Sequence, residues 1–160
     1  THVDTHQHTH LWPAVGAVVT GLAVERGIPA VRLPRSDARG VIRLGVATLA
    51  RRLARNLHRS GRASTDDYAG LDEAGALDAS RFMAALSALA ARGALAAEIN
   101  THPSESDDPD LGRFAWGYRW GDELAGLVDP QTRSFVEAAG YRLGGFAELR
   151  ATAGPGSAAR

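Results

Sequence analysis

The sequence predicts an α/β fold built on parallel strands, either as an open sheet or as part of a barrel. Strand-like and helix-like segments alternate along the chain, which is the pattern of crossover helices between parallel strands. The chain has 160 residues, whereas a closed eight-stranded barrel needs about 250 residues. A complete barrel is therefore excluded.

The elements follow from apolar spacing and from turn residues. The predicted strands are residues 1–7, 30–33, 68–71, 94–100 and 141–146. The predicted helices are residues 12–26, 43–59, the stretch from the Asp78 cap to Gly93, 118–128 and 130–139. The apolar positions that set the first three helices are Val15, Val18, Val19 and Leu22, then Leu49, Leu53 and Leu57, then Phe82, Leu86 and Leu89. Residues 151–160 are small and contain Gly and Pro, which predicts a disordered tail.

Composition excludes several classes of protein. The 18 basic and 18 acidic residues balance, so the chain lacks the positive field that attracts nucleic acid or an anionic membrane. The absence of cysteine excludes disulfides and is typical of a reducing cytosol, so we expect a cytoplasmic protein. No apolar run approaches the roughly 20 residues of a membrane span. The oligomeric state stays open, and a homo-oligomer is compatible with the sequence.

The opening segment carries ionisable side chains at alternate positions. They are His2, Asp4, His6, His8 and His10. Alternate side chains of an extended strand share a face, and both imidazole and carboxylate groups bind divalent ions. At about 3.3 Å per residue the outermost two would lie roughly 26 Å apart, so one ion can use only one or two of them. The segment predicts part of a metal site; an expression tag or a polar strand edge is the alternative.

His102 follows the fourth predicted strand and precedes Pro103. At a strand's carboxyl end it is a candidate metal ligand or general acid, and a structural histidine is the alternative. Glu98 would orient it or form an ordinary ion pair. Four aromatic residues would either stack on a sugar or pack in a core or interface: Trp12, Trp116, Tyr118 and Trp120.

These segments, in this order, resemble a known family. Residues 2–10 with Leu11-Trp12-Pro13 resemble the His-rich motif of the YdjC-like carbohydrate deacetylases. Residues 27–34 resemble the helix-to-strand turn that follows it, and residues 98–103 resemble a later strand ending in His-Pro. Residues 118–124 and 141–144 are similar to the C-terminal signature of the family. The resemblance covers residues 1–150 and omits the tail.

The resemblance implies a TIM-barrel-like (β/α) fold and a metal-dependent hydrolase that removes N-acetyl groups from amino sugars such as chito-oligosaccharides. A related branch is associated with glycosylated hopanoid lipids. In the family an Asp and two His hold Mg²⁺ or Zn²⁺, and the third of these ligands falls on His6. The family's Asp-Asp motif and first His ligand have no counterpart here. We therefore expect the chain to be the C-terminal part of such a barrel, without roughly its first 40%.

The same resemblance suggests roles for individual residues. A bound ion would polarise the acetyl carbonyl and activate water. His102 is the catalytic candidate for protonating the amine leaving group, and Asp4 is the candidate for orienting a metal-binding imidazole. The candidates for contact with the acetylated amino-sugar substrate are His8, His10, Trp12 and Arg32.

Two other functions remain open. Amidohydrolase-type metalloenzymes also place a His-x-His at the end of a first strand, which His6 and His8 fit, but they predict further ligands at later strand ends. The second alternative is a non-catalytic protein whose His-rich segment is a surface chelator.

Overall fold

The structure, a computed structural model, describes residues 1–113 and 115–149. The predicted tail 151–160 lies outside the described residues. The chain divides into two compact units. One consists of Thr1–Asp67 with the segment that starts at Gly144, and the other consists of Tyr68–Leu143.

The first unit is built on a β-α-β crossover. Strand β1 (His2–Val3) pairs in parallel with β2 (Ala30–Val31), and helix α1 (Pro13–Glu25) connects them. In the register of this pair His2 lies opposite Ala30 and Val3 lies opposite Val31. Helix α2 (Val41–Arg59) follows and packs against α1. Because the strands are parallel, the residues after Val3 and after Val31 emerge at the same edge of the sheet.

The core of the first unit lies between the two helices and the strand pair. Its buried members are Leu11, Val19, Ala23, Val31, Ala50, Leu53 and Leu57. Val3 and Leu49 are partly buried against them. The apolar stripe predicted for α2 is therefore confirmed, since Leu49, Leu53 and Leu57 all contribute to this core.

The second unit starts within β3 and also contains strands and helices, but two helices follow its last strand. Strand β3 (Asp67–Ala69) precedes helix α3 (Ala79–Ala91), strand β4 (Ala97–Ile99), helix α4 (Trp120–Val128) and helix α5 (Pro130–Ala138). β3 and β4 form a second two-stranded sheet. Helix α3 packs against both α4 and α5. The largest apolar side chains buried in this unit are Tyr68, Leu77, Leu86, Leu89 and Val136.

The mixed α/β class and the order of the first elements are confirmed, but the strands are shorter than predicted. The first strand ends at Val3, because a kinked turn begins at His6. The predicted strand 141–146 is wrong: a short 3-10 turn, Phe146–Glu148, follows Gly144 and Gly145 instead. Glycine lacks the side-chain packing that stabilises a strand. Among the described residues the strands form two separate pairs and no closed barrel.

The face that α1 turns to the core also differs from the prediction. Its buried positions are Gly16, Val19, Thr20 and Ala23, whereas Val15, Val18 and Leu22 are exposed. The helix is apolar on nearly every side, so spacing alone could not identify the buried stripe. Among the described helices none is both long enough and apolar enough to cross a membrane.

Asp78 gives a direct test of the α3 cap. Its carboxylate accepts a hydrogen bond from the backbone N–H of Arg81 at 3.0 Å, so Asp78→Ala should lower the free energy of unfolding by about 0.5–2 kcal/mol. Asp78→Asn should retain most of that stability, because Asn caps helices equally well. The measurement is urea denaturation followed by circular dichroism.

Asp110→Ala is the matched control, since the Asp110 side chain makes an exposed ion pair with Arg113, and such pairs contribute little. Equal losses in Asp78→Ala and Asp110→Ala would contradict the capping role.

Candidate functional site

The segment after β1 is a kinked turn and does not continue the strand. It spans His6–Leu11, and Gln7 and His8 both have left-handed backbone angles, with φ of 52° and 54°. For residues other than glycine each such conformation costs roughly 1–2 kcal/mol. Strain of this kind persists only where surrounding contacts enforce it, and it concentrates at functional sites.

His10 supplies the contacts that enforce the kink. Its side chain is fully buried, and its Nε2 lies 3.0 Å from the carbonyl oxygen of Arg32. A carbonyl only accepts, so Nε2 carries the proton, and Nδ1 accepts from the Thr5 hydroxyl at 2.7 Å. The same hydroxyl accepts from the His10 backbone N–H at 2.9 Å. Gly16 allows the approach of α1, because a Cβ there would collide with the His10 carbonyl oxygen.

This environment keeps His10 neutral. Burial lowers the pKa of its imidazole below the ordinary value of 6.5, and the hydrogen bond to the Arg32 carbonyl offsets only part of that effect. Both ring nitrogens are occupied and the side chain has no exposed surface. The structure therefore corrects the prediction that His10 contacts substrate: it fastens the segment after β1 to the residue after β2.

Asp4 and Arg32 form an ion pair across the carboxyl ends of β1 and β2. The Arg32 side chain is 16% exposed and the Asp4 side chain is 39% exposed. Asp4 also raises the pKa of His2 and of His10 electrostatically, against the larger effect of burial. Asp4 is thus within electrostatic reach of two imidazoles, as an orienting carboxylate requires. Arg32 would have to open this pair to contact a substrate.

The remaining histidines of the segment do not share one face. His6 is exposed, and His8 is half-buried with its ring edge-on to His10 at a centroid distance of 6.2 Å. His2 stacks on Phe146 with ring centroids 3.9 Å apart. Trp12 is 62% exposed. The prediction that alternate residues 2–10 point the same way is wrong from His6 onward, because the chain is no longer an extended strand there.

His102 lies in the second unit, three residues beyond β4. Its backbone N–H donates to the Glu123 carboxylate, its Nε2 lies 3.4 Å from the amide nitrogen of Asn100, and its ring meets Tyr118 edge-on at 5.1 Å. The Glu123 side chain is fully buried and also accepts from the N–H of Leu77 at 3.0 Å. One carboxylate therefore fixes the backbone of His102 to helix α4 and to the segment before α3.

The role of Glu123 was not predicted from the sequence, where this residue lies within the signature segment 118–124. It follows Asp122 in the first turn of α4, where acidic residues are common because they face the helix N-terminus. Its spacing relative to the apolar residues gave no sign that it would be buried.

The described residues contain suitable metal donors but no complete site. Nowhere in the described parts of the chain do three or more His, Asp or Glu side chains form a group able to hold a metal ion. The exposed imidazole of His6 is a competent single donor, whereas His10 is already fully hydrogen-bonded. The donor chemistry thus fits a divalent ion, but the described residues supply too few donors to hold one by themselves.

The pH dependence of stability tests the role of His10. Since its folded-state pKa is lowered from 6.5, its contribution is complete above pH 6.5 and is lost progressively as pH falls towards the folded-state pKa. We expect His10→Ala to lower the free energy of unfolding at pH 7.5 by about 2–4 kcal/mol and to flatten its decline between pH 7.5 and 5.5.

The control is His58→Ala, which removes an exposed imidazole from α2 and should leave both quantities nearly unchanged. A His10→Ala protein with the stability and the pH profile of the parent would contradict the anchoring role.

The Glu123 anchor is tested by Glu123→Gln, which keeps the size of the side chain. An amide has one acceptor oxygen and presents N–H donors to the other backbone N–H, so stability should fall by about 1–3 kcal/mol. The His102 backbone amide resonance should shift in NMR spectra. Glu137→Gln is the control, because Glu137 forms an exposed ion pair with Arg133. If Glu123→Gln lost no more stability than this control, the result would argue against the anchor.

Comparison with known proteins gives a consistent family. The profile of the family described as YdjC-like protein matches residues 1–138. A chitooligosaccharide deacetylase of Citrobacter koseri is 29% identical over 149 residues, which cover 93% of this chain and 53% of that protein. Proteins of the same description from Enterobacter sp. (strain 638) and Proteus mirabilis are 28% and 25% identical. No solved structure gave a significant match.

The chain spans about half the length of the curated relatives it matches. The comparisons do not support the narrower prediction that it corresponds to their C-terminal part. The family match extends over most of the chain and includes both the kinked His-rich segment and His102. The chain belongs to the YdjC-like protein family.

Proposed function

We propose that this chain is part of a metal-dependent carbohydrate deacetylase that hydrolyses N-acetyl groups on amino sugars. The observation that carries the proposal is the strained segment His6–Leu11, which holds an exposed His6 just beyond the carboxyl end of β1. The relatives named chitooligosaccharide deacetylases supply the reaction and the substrate class. A TIM-barrel-like arrangement of the complete protein and a cytoplasmic location belong to the same proposal.

The geometry of the first unit suits a site that must keep one imidazole accessible. Folding has to offset the cost of two left-handed residues, and strain of this kind concentrates at functional sites. The buried His10 provides part of that offset through its hydrogen bonds to Thr5 and to Arg32. The imidazole of His6 is thereby kept out of the core, where a divalent ion can reach it.

In this proposal His6 contributes one ligand to Mg²⁺ or Zn²⁺, and the other ligands lie outside the described residues. Such an ion would polarise the acetyl carbonyl and lower the pKa of bound water. Asp4, held by Arg32, acts as a positioning residue for the imidazoles that it influences electrostatically. His8 and Trp12 are the accessible candidates for contact with substrate.

His102 is proposed as the general acid that protonates the departing amine. Support comes from its position after β4 and from the carboxylate of Glu123, which holds its backbone in place. The ring is half-buried and meets Tyr118 edge-on. A histidine titrates near neutral pH, which suits proton transfer to an amine leaving group.

The test uses the complete natural protein, with acetate release from N-acetylglucosamine oligomers as the activity and calorimetric titration of Zn²⁺ and Mg²⁺ as the binding measurement. His6→Ala should weaken metal binding at least tenfold and lower kcat at least a hundredfold. His102→Ala should lower kcat by about a hundredfold or more, in the range of general acid catalysis, with metal affinity unchanged. His58→Ala should behave as the parent protein.

A non-catalytic chelator is the second candidate, because His6 is exposed and no three-ligand group is found in the described residues. It predicts several weak binding events per chain and no acetate release. A single tight metal site together with acetate release that depends on His6 would exclude the chelator. Several weak sites without acetate release would exclude the deacetylase.

A further inference from the structure

We propose that Trp116, Tyr118 and Trp120 form a stacking platform for the sugar rings of a neutral amino-sugar oligomer, beside His102. We call these three residues the aromatic platform. The inference rests on the proposed deacetylase function and extends it by assigning a saccharide-binding surface. All of its residues lie in the second unit.

The three rings form one continuous cluster. Ring centroids are 5.4 Å apart for Trp116 and Tyr118, 4.8 Å for Tyr118 and Trp120, and 6.0 Å for Trp116 and Trp120. Residues 116, 118 and 120 alternate along the segment that leads into α4. Gly117, between the first two, has a left-handed backbone angle with φ of 66°, and Trp120 is the first residue of α4.

The middle of the aromatic platform, Tyr118 and the adjacent Arg119, is held against the rest of the second unit. The Tyr118 ring rests against Gly75, where an added Cβ would collide with the ring. The backbone N–H of Arg119 donates to the Gly75 carbonyl at 2.8 Å, and the Arg119 guanidinium donates to the Asp78 carboxylate at 2.7 Å. A surface fixed in advance loses little conformational entropy when a ligand binds.

Core packing does not account for the cluster. Trp116 is 43% exposed, and Tyr118 and Trp120 are half-buried. The same unit buries Tyr68 almost completely, so it can enclose an aromatic ring when the ring serves the core. Large rigid rings at a surface supply contact area at low entropic cost, as they do in binding sites.

The charge of Arg119, which lies between Tyr118 and Trp120, gives no reason to expect an anionic ligand. Arg119 is paired with Asp78 at 2.7 Å and with Asp122 at 3.2 Å, so its charge is already compensated. A pyranose ring with equatorial substituents presents a face of C–H groups, which packs on an aromatic face while its hydroxyl groups stay in water. The neighbouring edge of His102, 5.1 Å from Tyr118, would then lie beside the bound sugar.

The experiment is an NMR titration of the complete natural protein with the N-acetylglucosamine trimer, observing the tryptophan indole N–H resonances. We expect the Trp116 and Trp120 resonances to shift, and Trp116→Ala to weaken the affinity about fivefold or more. Trp116→Phe, which keeps a stacking ring, should retain most of the affinity. Leu143→Ala removes another exposed apolar side chain of this unit and should bind as the parent does.

The outcomes separate this inference from the deacetylase proposal. Trimer binding that depends on Trp116, without acetate release, supports the platform and rejects the deacetylase. Acetate release with the same KM in Trp116→Ala as in the parent rejects the platform and leaves the deacetylase standing. Indole resonances that do not respond to the trimer also reject the platform. A Trp116→Ala protein that sediments differently from the parent but binds the trimer with the same affinity rejects it too, because that result indicates a contact between copies of the chain.

Discussion

The hydrogen bonds of one buried imidazole determine the arrangement of the first unit's site. His10 joins the Thr5 hydroxyl, which follows β1, to the Arg32 carbonyl, which follows β2. It thus ties together the two chain segments that leave the sheet at its carboxyl edge, and the Asp4–Arg32 ion pair spans the same two segments. If either ring nitrogen lost its partner, a buried polar atom would remain unsatisfied, at a cost comparable to the strain at Gln7 and His8.

This dependence on tertiary contacts explains why the site was harder to predict than the helices. The caps of α3 and α5 are local: the carboxylates of Asp78 and Asp129 each accept from a backbone N–H two or three residues onward, and the Asp78 cap was predicted. The kink at Gln7 and His8 is not local. Neither residue favours a left-handed backbone as glycine does. The kink depends in part on the hydrogen bond from His10 to the carbonyl of Arg32, 22 positions further along the chain. The alternation of the His-rich segment therefore indicated the donors but not their directions.

The buried side chain of Glu123 in the second unit also depends on tertiary contacts. Glu123 was visible as one of two adjacent acids in the first turn of α4, and helical spacing gave no reason to prefer it to Asp122. Tertiary packing makes the distinction, because the side chain of Glu123 meets the N–H groups of Leu77 and His102. Two backbone donors replace the water that a buried carboxylate loses. His102 itself was found from its place after a strand, which depends on chain order alone.

The candidate residues therefore divide into buried side chains that hold the framework together and exposed side chains on the segments that it supports. His10 and Glu123 are fully buried, and their side chains hydrogen-bond to backbone groups or to a neighbouring hydroxyl. His6 and Trp116 are exposed on segments that adjacent buried contacts hold in place. Exposed groups on fixed backbone bind with a small entropic cost, whereas the same groups on a mobile loop would lose much of their binding energy to ordering. The anchors explain how short strands and irregular segments can present chemically useful side chains without the rigidity of long regular elements.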